Sequence, residues 1–314
     1  MIRRAAGVVA LGAATGAASL AYGYFLEPRW LRTRRLQVDI PTLPDYLDGL
    51  TILHLSDLHY RRGHRISTSL LRRTGDWARD MRPDLVCYTG DFIETDADID
   101  ACLDLLGPVH GTYGTLAVFG NHDYSRKLDR PEPRTERYKV VVAEILAAPW
   151  KQIQSRDPVA NTMERIAIAL CQHGISLLQN TSTVLDIAGG SLCIVGVDDP
   201  HQDRDDLSRA LRCVPRDMPV LMLAHSYDIV PDLLRTAPPM LLLAGHTHGG
   251  QVRLPLLPPI LTHTRVQLKD ARGLIPDVGF PLHVSPGIGS SIPFRFGCRP
   301  EATVLRLRRP TSPR

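Results

Sequence analysis

Gly245-His246-Thr247-His248-Gly249-Gly250-Gln251 follows directly on the apolar run Met240-Leu241-Leu242-Leu243-Ala244. A short apolar run closed by glycine reads as a buried strand, although periodicity by itself does not exclude a helix. On an extended backbone alternate side chains share a face, so this reading predicts that His246 and His248 point one way and Thr247 the other. The flanking glycines keep the backbone slim enough for close approach of a bound group. Two same-face imidazoles at a strand end begin a metal site. For this heptad alone, a pair of hydrogen-bonded loop histidines is an equal reading.

The same pattern recurs upstream. Thr51 to Ser56 reads as a strand followed by Asp57-Leu58-His59, Leu85 to Thr89 as a strand followed by Gly90-Asp91, and Thr115 to Phe119 as a strand followed by Gly120-Asn121-His122-Asp123. Pro219 to Ala224 reads as a strand ending at His225. Helical patterns separate them: Ile66 to Met81 before Pro83, Asp96 to Leu106 before Gly107-Pro108, Met163 to His173, Asp203 to Leu211, and Ile229 to Arg235. Ile175 to Leu178 reads as a short strand, Val184 to Ile187 and Leu192 to Val197 as a hairpin, and Val266 to Lys269, Leu282 to Ser285 and Thr303 to Leu307 as late β segments. Strands alternating with helices imply a layered α/β fold, and alternation alone suggests a doubly wound parallel sheet.

In such sheets ligands gather beyond the carboxyl ends of the strands, so five strand ends are expected to converge on one place. Their donors are oxygen and nitrogen without sulfur, a set that suits Mn, Fe or Zn better than Mg or Ca. Seven groups are too many for one tetrahedral ion, whereas two ions sharing a bridging carboxylate use them well. Taken singly each is weak, since a lone Asp is usually a cap and a lone His a satisfied core group. The ordered set D-x-H, G-D, G-N-H-D, His and G-H-x-H carries the argument.

The 314 residues hold one large domain or two small ones, with 44% hydrophobic and 22% charged residues as in ordinary globular chains. A net charge of +4 is too small to argue for nucleic acid. Ala5 to Leu26 carries no charge, follows Arg3-Arg4 and precedes Arg29, Arg32, Arg34 and Arg35. That length suits a membrane anchor, or a cleaved signal with Ser19-Leu20-Ala21 as its site, and arginines at both ends leave the side of the membrane open. Cysteines 87, 102, 171, 193, 213 and 298 form no C-x-x-C pair and read as buried free thiols. Residues 125–160 are too long for an ordinary connection and read as an insertion, with an amphipathic helix over Tyr138 to Leu146 before Pro149 and Trp150. The expected organisation is therefore 1–28 as signal or anchor, 29–48 as linker, and 49–314 as one domain carrying the 125–160 insertion.

With these motifs the sequence resembles the calcineurin-like metallophosphoesterase family over nearly everything after the linker. It is most similar to the membrane-associated bacterial branch, through Glu27-Pro28, Leu53-His54-Leu55-Ser56-Asp57-Leu58-His59, the opening heptad, Pro293-Phe294-Arg295-Phe296 and Pro300-Glu301. The resemblance implies a four-layer β-sandwich flanked by helices, with a hydrophobic N-terminal helix. It implies that Asp57, His59, Asp91 and His248 hold one divalent ion and Asp91, Asn121, His225 and His246 another, with Asp91 bridging. It implies hydrolysis by a hydroxide shared between the ions, with His122 protonating the leaving oxygen and Asp123 holding its neighbours in place. The family's protein phosphatases carry an acidic-Arg pair in the second motif and end the third in glutamate. Here Gly90-Asp91-Phe92-Ile93-Glu94-Thr95 lacks the arginine and the third motif ends in Asp123, which disfavours phosphoprotein substrates. The expected substrate is a phosphodiester or a nucleotide-lipid pyrophosphate at a bacterial membrane, UDP-2,3-diacylglucosamine being one alternative. A non-catalytic scaffold is the alternative from another class, and a nuclease would need a stronger basic groove.

Overall fold

The structure, a computed structural model, describes residues 14–126, 159–254, 259, 262, 264–266, 268 and 270–310. In chain order the strands are β1 (Arg32–Asp39), β2 (Thr51–Leu55), β3 (Leu85–Thr89), β4 (Gly114–Val118), β5 (Ser125–Arg126), β6 (Val159–Ala160) and β7 (Ser176–Leu177). There follow β8 (Thr181–Ile187), β9 (Gly190–Gly196), β10 (Val220–Leu223), β11 (Leu241–Ala244), β12 (Gly273–Ile275), β13 (Leu282–Val284) and β14 (Glu301–Arg308). Twelve of them make two six-stranded sheets, ordered β1-β14-β2-β3-β4-β7 and β12-β13-β11-β10-β9-β8. In the first, β2, β3, β4 and β7 are parallel and β14 runs against β2. In the second, β9, β10, β11 and β13 are parallel, and the outer β8 and β12 are antiparallel to their neighbours.

Period-2 alternation explains the stacking. Leu85 and Cys87 of β3, and Leu221 and Leu223 of β10, belong to one core between the sheets. Val86 and Tyr88 turn outward to helices Arg65–Met81, Ile99–Leu106 and Met163–Gln172. Met222 turns the other way, to helices Leu207–Leu211 and Val230–Arg235. The layers are thus helices, sheet, sheet, helices. Strands buried on both faces are apolar throughout, so the sequence pattern does not say whether they share one doubly wound sheet or two stacked ones. The single parallel sheet suggested by alternation is corrected to a sandwich, as the family resemblance implies.

Other differences have local causes. The segment 29–48 contains β1, paired in parallel with β14 along all eight residues. The helix expected from Asp203 begins at Leu207, where Asp206 caps it by accepting from the Arg209 N–H. Val266 and Leu268 are not strand, and β12 lies further on at Gly273–Ile275. Cys171 and Cys213 are exposed, and the other four thiols are buried. Antiparallel pairing of β5 with β6 brings the two ends of the 125–160 segment together. The expected helix over Tyr138 to Leu146, and Trp150, lie outside the described residues.

The uncharged N-terminal stretch divides. Residues 14–21, Ala-Thr-Gly-Ala-Ala-Ser-Leu-Ala, are helical, and Tyr22–Leu26 form a wider turn lying against the domain. Among the described residues no helix is long and apolar enough to cross a membrane. Residues 1–13 lie outside the described set.

Candidate metal centre

All seven side chains singled out as donors meet at one end of the sandwich, beyond the carboxyl ends of β2, β3, β4, β10 and β11. His59 Nε2 lies 3.3 Å from Asp91 Oδ2 and 4.0 Å from Asp57 Oδ1, and His248 Nε2 lies 3.8 Å from that same Asp57 oxygen. On the other side of Asp91, His225 Nε2 is 3.3 Å from Oδ2 and 3.2 Å from Asn121 Oδ1. His246 Nδ1 is 3.1 Å from Asn121 Oδ1 and 3.2 Å from His225 Nε2. Asp91 therefore stands between two groups of donors.

The backbone reaches this arrangement differently from the expected extended alternation. β11 ends at Ala244 and β2 at Leu55, so neither pair of ligand-type residues lies on a strand. Asp57, His59, Asp91, His246 and His248 all have positive φ, from 42° to 69°. Left-handed backbone costs an L-residue about 1–2 kcal/mol, and it accumulates where function over-determines geometry. Two glycines allow the close approach. A Cβ on Gly245 would collide with Ser56 Oγ and lie 2.5 Å from Asp57 Oδ2, and one on Gly120 would collide with Asp91 Oδ1 and lie 2.7 Å from His225 Cε1.

The donor chemistry fits divalent ions. His225 Nδ1 donates to the Thr89 carbonyl at 2.6 Å, which leaves the Nε2 of a neutral ring as a lone pair facing two oxygens. His59 Nδ1 donates to Glu94 Oε1 at 2.8 Å, and its Nε2, facing Asp91, is buried with no hydrogen-bond partner. Lone pairs and carboxylates turned on one another require positive charge between them. Metal–donor bonds of about 2.0–2.2 Å place neighbouring donors of one ion about 3.0–3.5 Å apart, and most of the separations above fall there. In each of these two histidines the second nitrogen is fixed by an acceptor, the usual way of orienting a metal-binding imidazole.

The same surroundings favour positive charge at the histidine rings. Burial opposes protonation of His225, but Asp91, Asp57 and Asp199 hold it well above its ordinary value. Burial likewise opposes charge on His59, and the Asp91 and Glu94 carboxylates facing its two nitrogens lift it to about 10. Burial would raise Asp91, yet His225 and His122 keep it well below the usual carboxylate range. Burial pushes Asp57 up.

His122 stands beside this cluster and is partly exposed. Its backbone N–H donates to Asp91 Oδ1 at 2.8 Å, its ring meets His59 edge-on at 4.7 Å, and its Nδ1 lies 3.7 Å from Glu94 Oε2. Asp123 is fully buried, and its carboxylate accepts the N–H groups of Asp91, Phe92 and Gly120. It thereby pins the second and third strand-end loops together. Arg62 pairs with Asp98 at 3.3 Å and points to solvent.

Sequence reasoning missed Glu94, which is partly buried and serves His59, His122 and Ser291 at once. Its one signal is its place three residues after Asp91. It also missed Asp198 and Asp199 after β9. Asp198 accepts the Tyr124 hydroxyl, and Asp199 caps the turn Pro200–Gln202.

Comparison with known proteins agrees with this geometry. The family model described as calcineurin-like phosphoesterase matches residues 50–250. The chain is similar to the phosphodiesterase YaeI of Escherichia coli (strain K12), at 30% identity over 94% of this chain and 96% of that protein. It is also similar to the uncharacterized metallophosphoesterase YkuE of Bacillus subtilis, at 27% over 96% and 94%. A third relative is the UDP-2,3-diacylglucosamine pyrophosphatase LpxG of Chlamydia trachomatis, at 27% over 90% of each chain.

Proposed function

Since this chain belongs to the calcineurin-like phosphoesterase family, we propose that it hydrolyses a phosphodiester or pyrophosphate bond on two divalent ions. Asp57, His59, Asp91 and His248 would hold one, and Asp91, Asn121, His225 and His246 the other. Family membership makes the chain a hydrolase of phosphoric ester or anhydride bonds; the residue assignments and the choice of substrate are our reading. When bound, such an ion pair supplies positive charge for the phosphoryl oxygens and acidifies water near neutral pH.

The chain's own residues supply the rest. The Glu94 carboxylate orients His59 through Nδ1 and faces His122 Nδ1, which leaves His122 Nε2 to donate a proton to the leaving oxygen. Asp123 fixes the backbone that carries Asp91 and Gly120, so the attacking and leaving sides keep their spacing. Of the substrates, a simple phosphodiester is supported by the likeness to YaeI, and a nucleotide-lipid pyrophosphate by the likeness to LpxG. An attachment to the bacterial membrane through the N-terminal segment is consistent with the uncharged stretch Ala5 to Leu26. A scaffold role is disfavoured because every donor position is filled.

The observation that carries the proposal is the convergence of six donors around a seventh, Asp91, with facing atoms 3.1–4.0 Å apart. The test is metal analysis and hydrolysis of bis(p-nitrophenyl) phosphate by wild type and Asp91→Ala. We expect about 10²- to 10³-fold loss of kcat/KM together with loss of bound metal. Full activity in Asp91→Ala would end the bridging assignment.

A further inference from the structure

Helical residues 14–21 carry no charge, and all but Ser19 are exposed. The chain that follows is clamped to the domain. The Gly23 carbonyl accepts the Arg295 N–H at 2.9 Å, and a Cβ on Gly23 would lie 2.6 Å from the Phe294 ring. Tyr22 meets Phe296 edge-on at 5.9 Å, and buried Glu27 accepts the Gly297 N–H at 2.9 Å. Over this clamp Phe25 (47% exposed), Leu26 (60%) and Trp30 (53%) face outward.

Three arginines surround them, each donating to main-chain carbonyls. Arg29 donates to Tyr24 and Phe25, and Arg73 donates to Arg29 at 3.0 Å. Arg299 donates to Trp30 at 3.2 Å, with its guanidinium 4.1 Å above the indole. Carbonyl partners leave the positive charge of all three in place. A half-exposed indole under a guanidinium, two bulky exposed apolar side chains and neighbouring cations together match the headgroup zone of a bilayer.

The loop that makes the clamp also walls the metal centre. Fully buried Arg295 donates to the carbonyls of Pro286, Gly287, Gly289 and Cys298. Gly287 packs on Asp57 and Gly289 on His59, while Ser291 Oγ donates to Glu94 at 2.7 Å. A small pocket beside this loop is lined by Pro28, Leu70, Ile288, Ser290 and Pro293.

We propose that Phe25, Leu26 and Trp30, ringed by Arg29, Arg73 and Arg299, seat on an anionic lipid surface, and that the clamp from Tyr22 to Glu27 holds the phosphoesterase site at a fixed attitude to it. The proposal rests on the membrane reading above and adds which side chains touch lipid. Charge complementarity and continuity with the uncharged helix favour lipid over a protein partner.

The test uses the full chain with Trp77→Phe and Trp150→Phe, so that Trp30 is the sole tryptophan. It is mixed with vesicles of phosphatidylglycerol and phosphatidylcholine brominated near the glycerol end of its acyl chains. Trp30 emission should shift to the blue and be lost, and replacing Arg299 by Gln should weaken that quenching about fivefold in lipid concentration, on anionic vesicles only. Trp30→Ala should hydrolyse soluble bis(p-nitrophenyl) phosphate at the wild-type rate. Co-sedimentation with Trp30 unquenched overturns the proposal while leaving the membrane reading intact. A chain that does not co-sediment overturns both, and hydrolysis of the soluble diester reports separately on the catalytic reading. Trp30 unquenched by lipid but shielded from acrylamide in a solution dimer overturns it in favour of a second copy.

Discussion

The candidate metal centre and the core between the sheets both bury histidines, yet they surround them with opposite electrostatic environments. His59 and His225 are ringed by carboxylates that favour positive charge beside them in spite of burial. His54 of β2 and His283 of β13 face each other across the sandwich, Nδ1 to Nδ1 at 2.7 Å, with His54 Nε2 2.9 Å from Thr89 Oγ1. Burial drives both of these down, His283 to about 3. Only five residues separate His54 from His59, so neighbours rather than depth decide the charge. One group is prepared for cations, and the other is a neutral staple between two sheets.

Three measurements would break or sharpen this contrast. The largest effect is expected from Glu94→Gln, which removes the carboxylate that orients His59. Mn(II) affinity by calorimetry, or kcat/KM on a soluble diester, should fall about 10- to 100-fold. An unchanged value would mean that Glu94 does not set the state of His59.

Next comes His283→Ala, which leaves the His54 Nδ1 buried without its partner. Urea unfolding should show a loss of about 1–3 kcal/mol, whereas the double variant His54→Leu/His283→Leu should lose less, since neither Nδ1 is then left buried without its partner. Equal losses in the single and double variants would deny the staple.

The smallest effect is a slope. The unfolded chain binds protons on these histidines near pH 6.5, and the folded chain does so only at much lower pH, about 3 for His283. More protons on the unfolded state means that stability rises with pH. The contribution is complete above about pH 6.5 and declines below it by about 1.4 kcal/mol per pH unit per histidine. The difference in unfolding free energy between wild type and the double Leu variant, followed from pH 7 to pH 6, should change by about 1.4 kcal/mol for the two histidines together. A flat difference would mean that the pair is not held neutral.

Much of the site was legible because each motif follows a strand, and strand ends in α/β folds point at a common place. Asp57, Asp91, Asn121, His225 and His246 are far apart in sequence and adjacent in space for that reason alone. What the sequence concealed has physical causes. Apolar strands buried on both faces do not reveal which layer each face meets, so sandwich and single sheet look alike. Left-handed backbone at Asp57 or His248 leaves no mark in composition, and the expected extended alternation failed there. Glu94 sits in an ordinary acidic position, and its role appears only when His59 and His122 arrive beside it. The contact between His54 and His283 spans 229 residues and has no local signature.

The positive φ angles at Asp57, His59, Asp91, His246 and His248 carry a practical lesson for anyone engineering heat resistance into this chain. Glycine at a position such as His248, whose ring balances no buried carboxylate pair, would relax the main chain and favour a higher melting temperature, while erasing a donor. Screens scored on thermal tolerance alone would therefore drift toward sturdier, inert proteins, and the mouth of the sandwich is where that drift would begin.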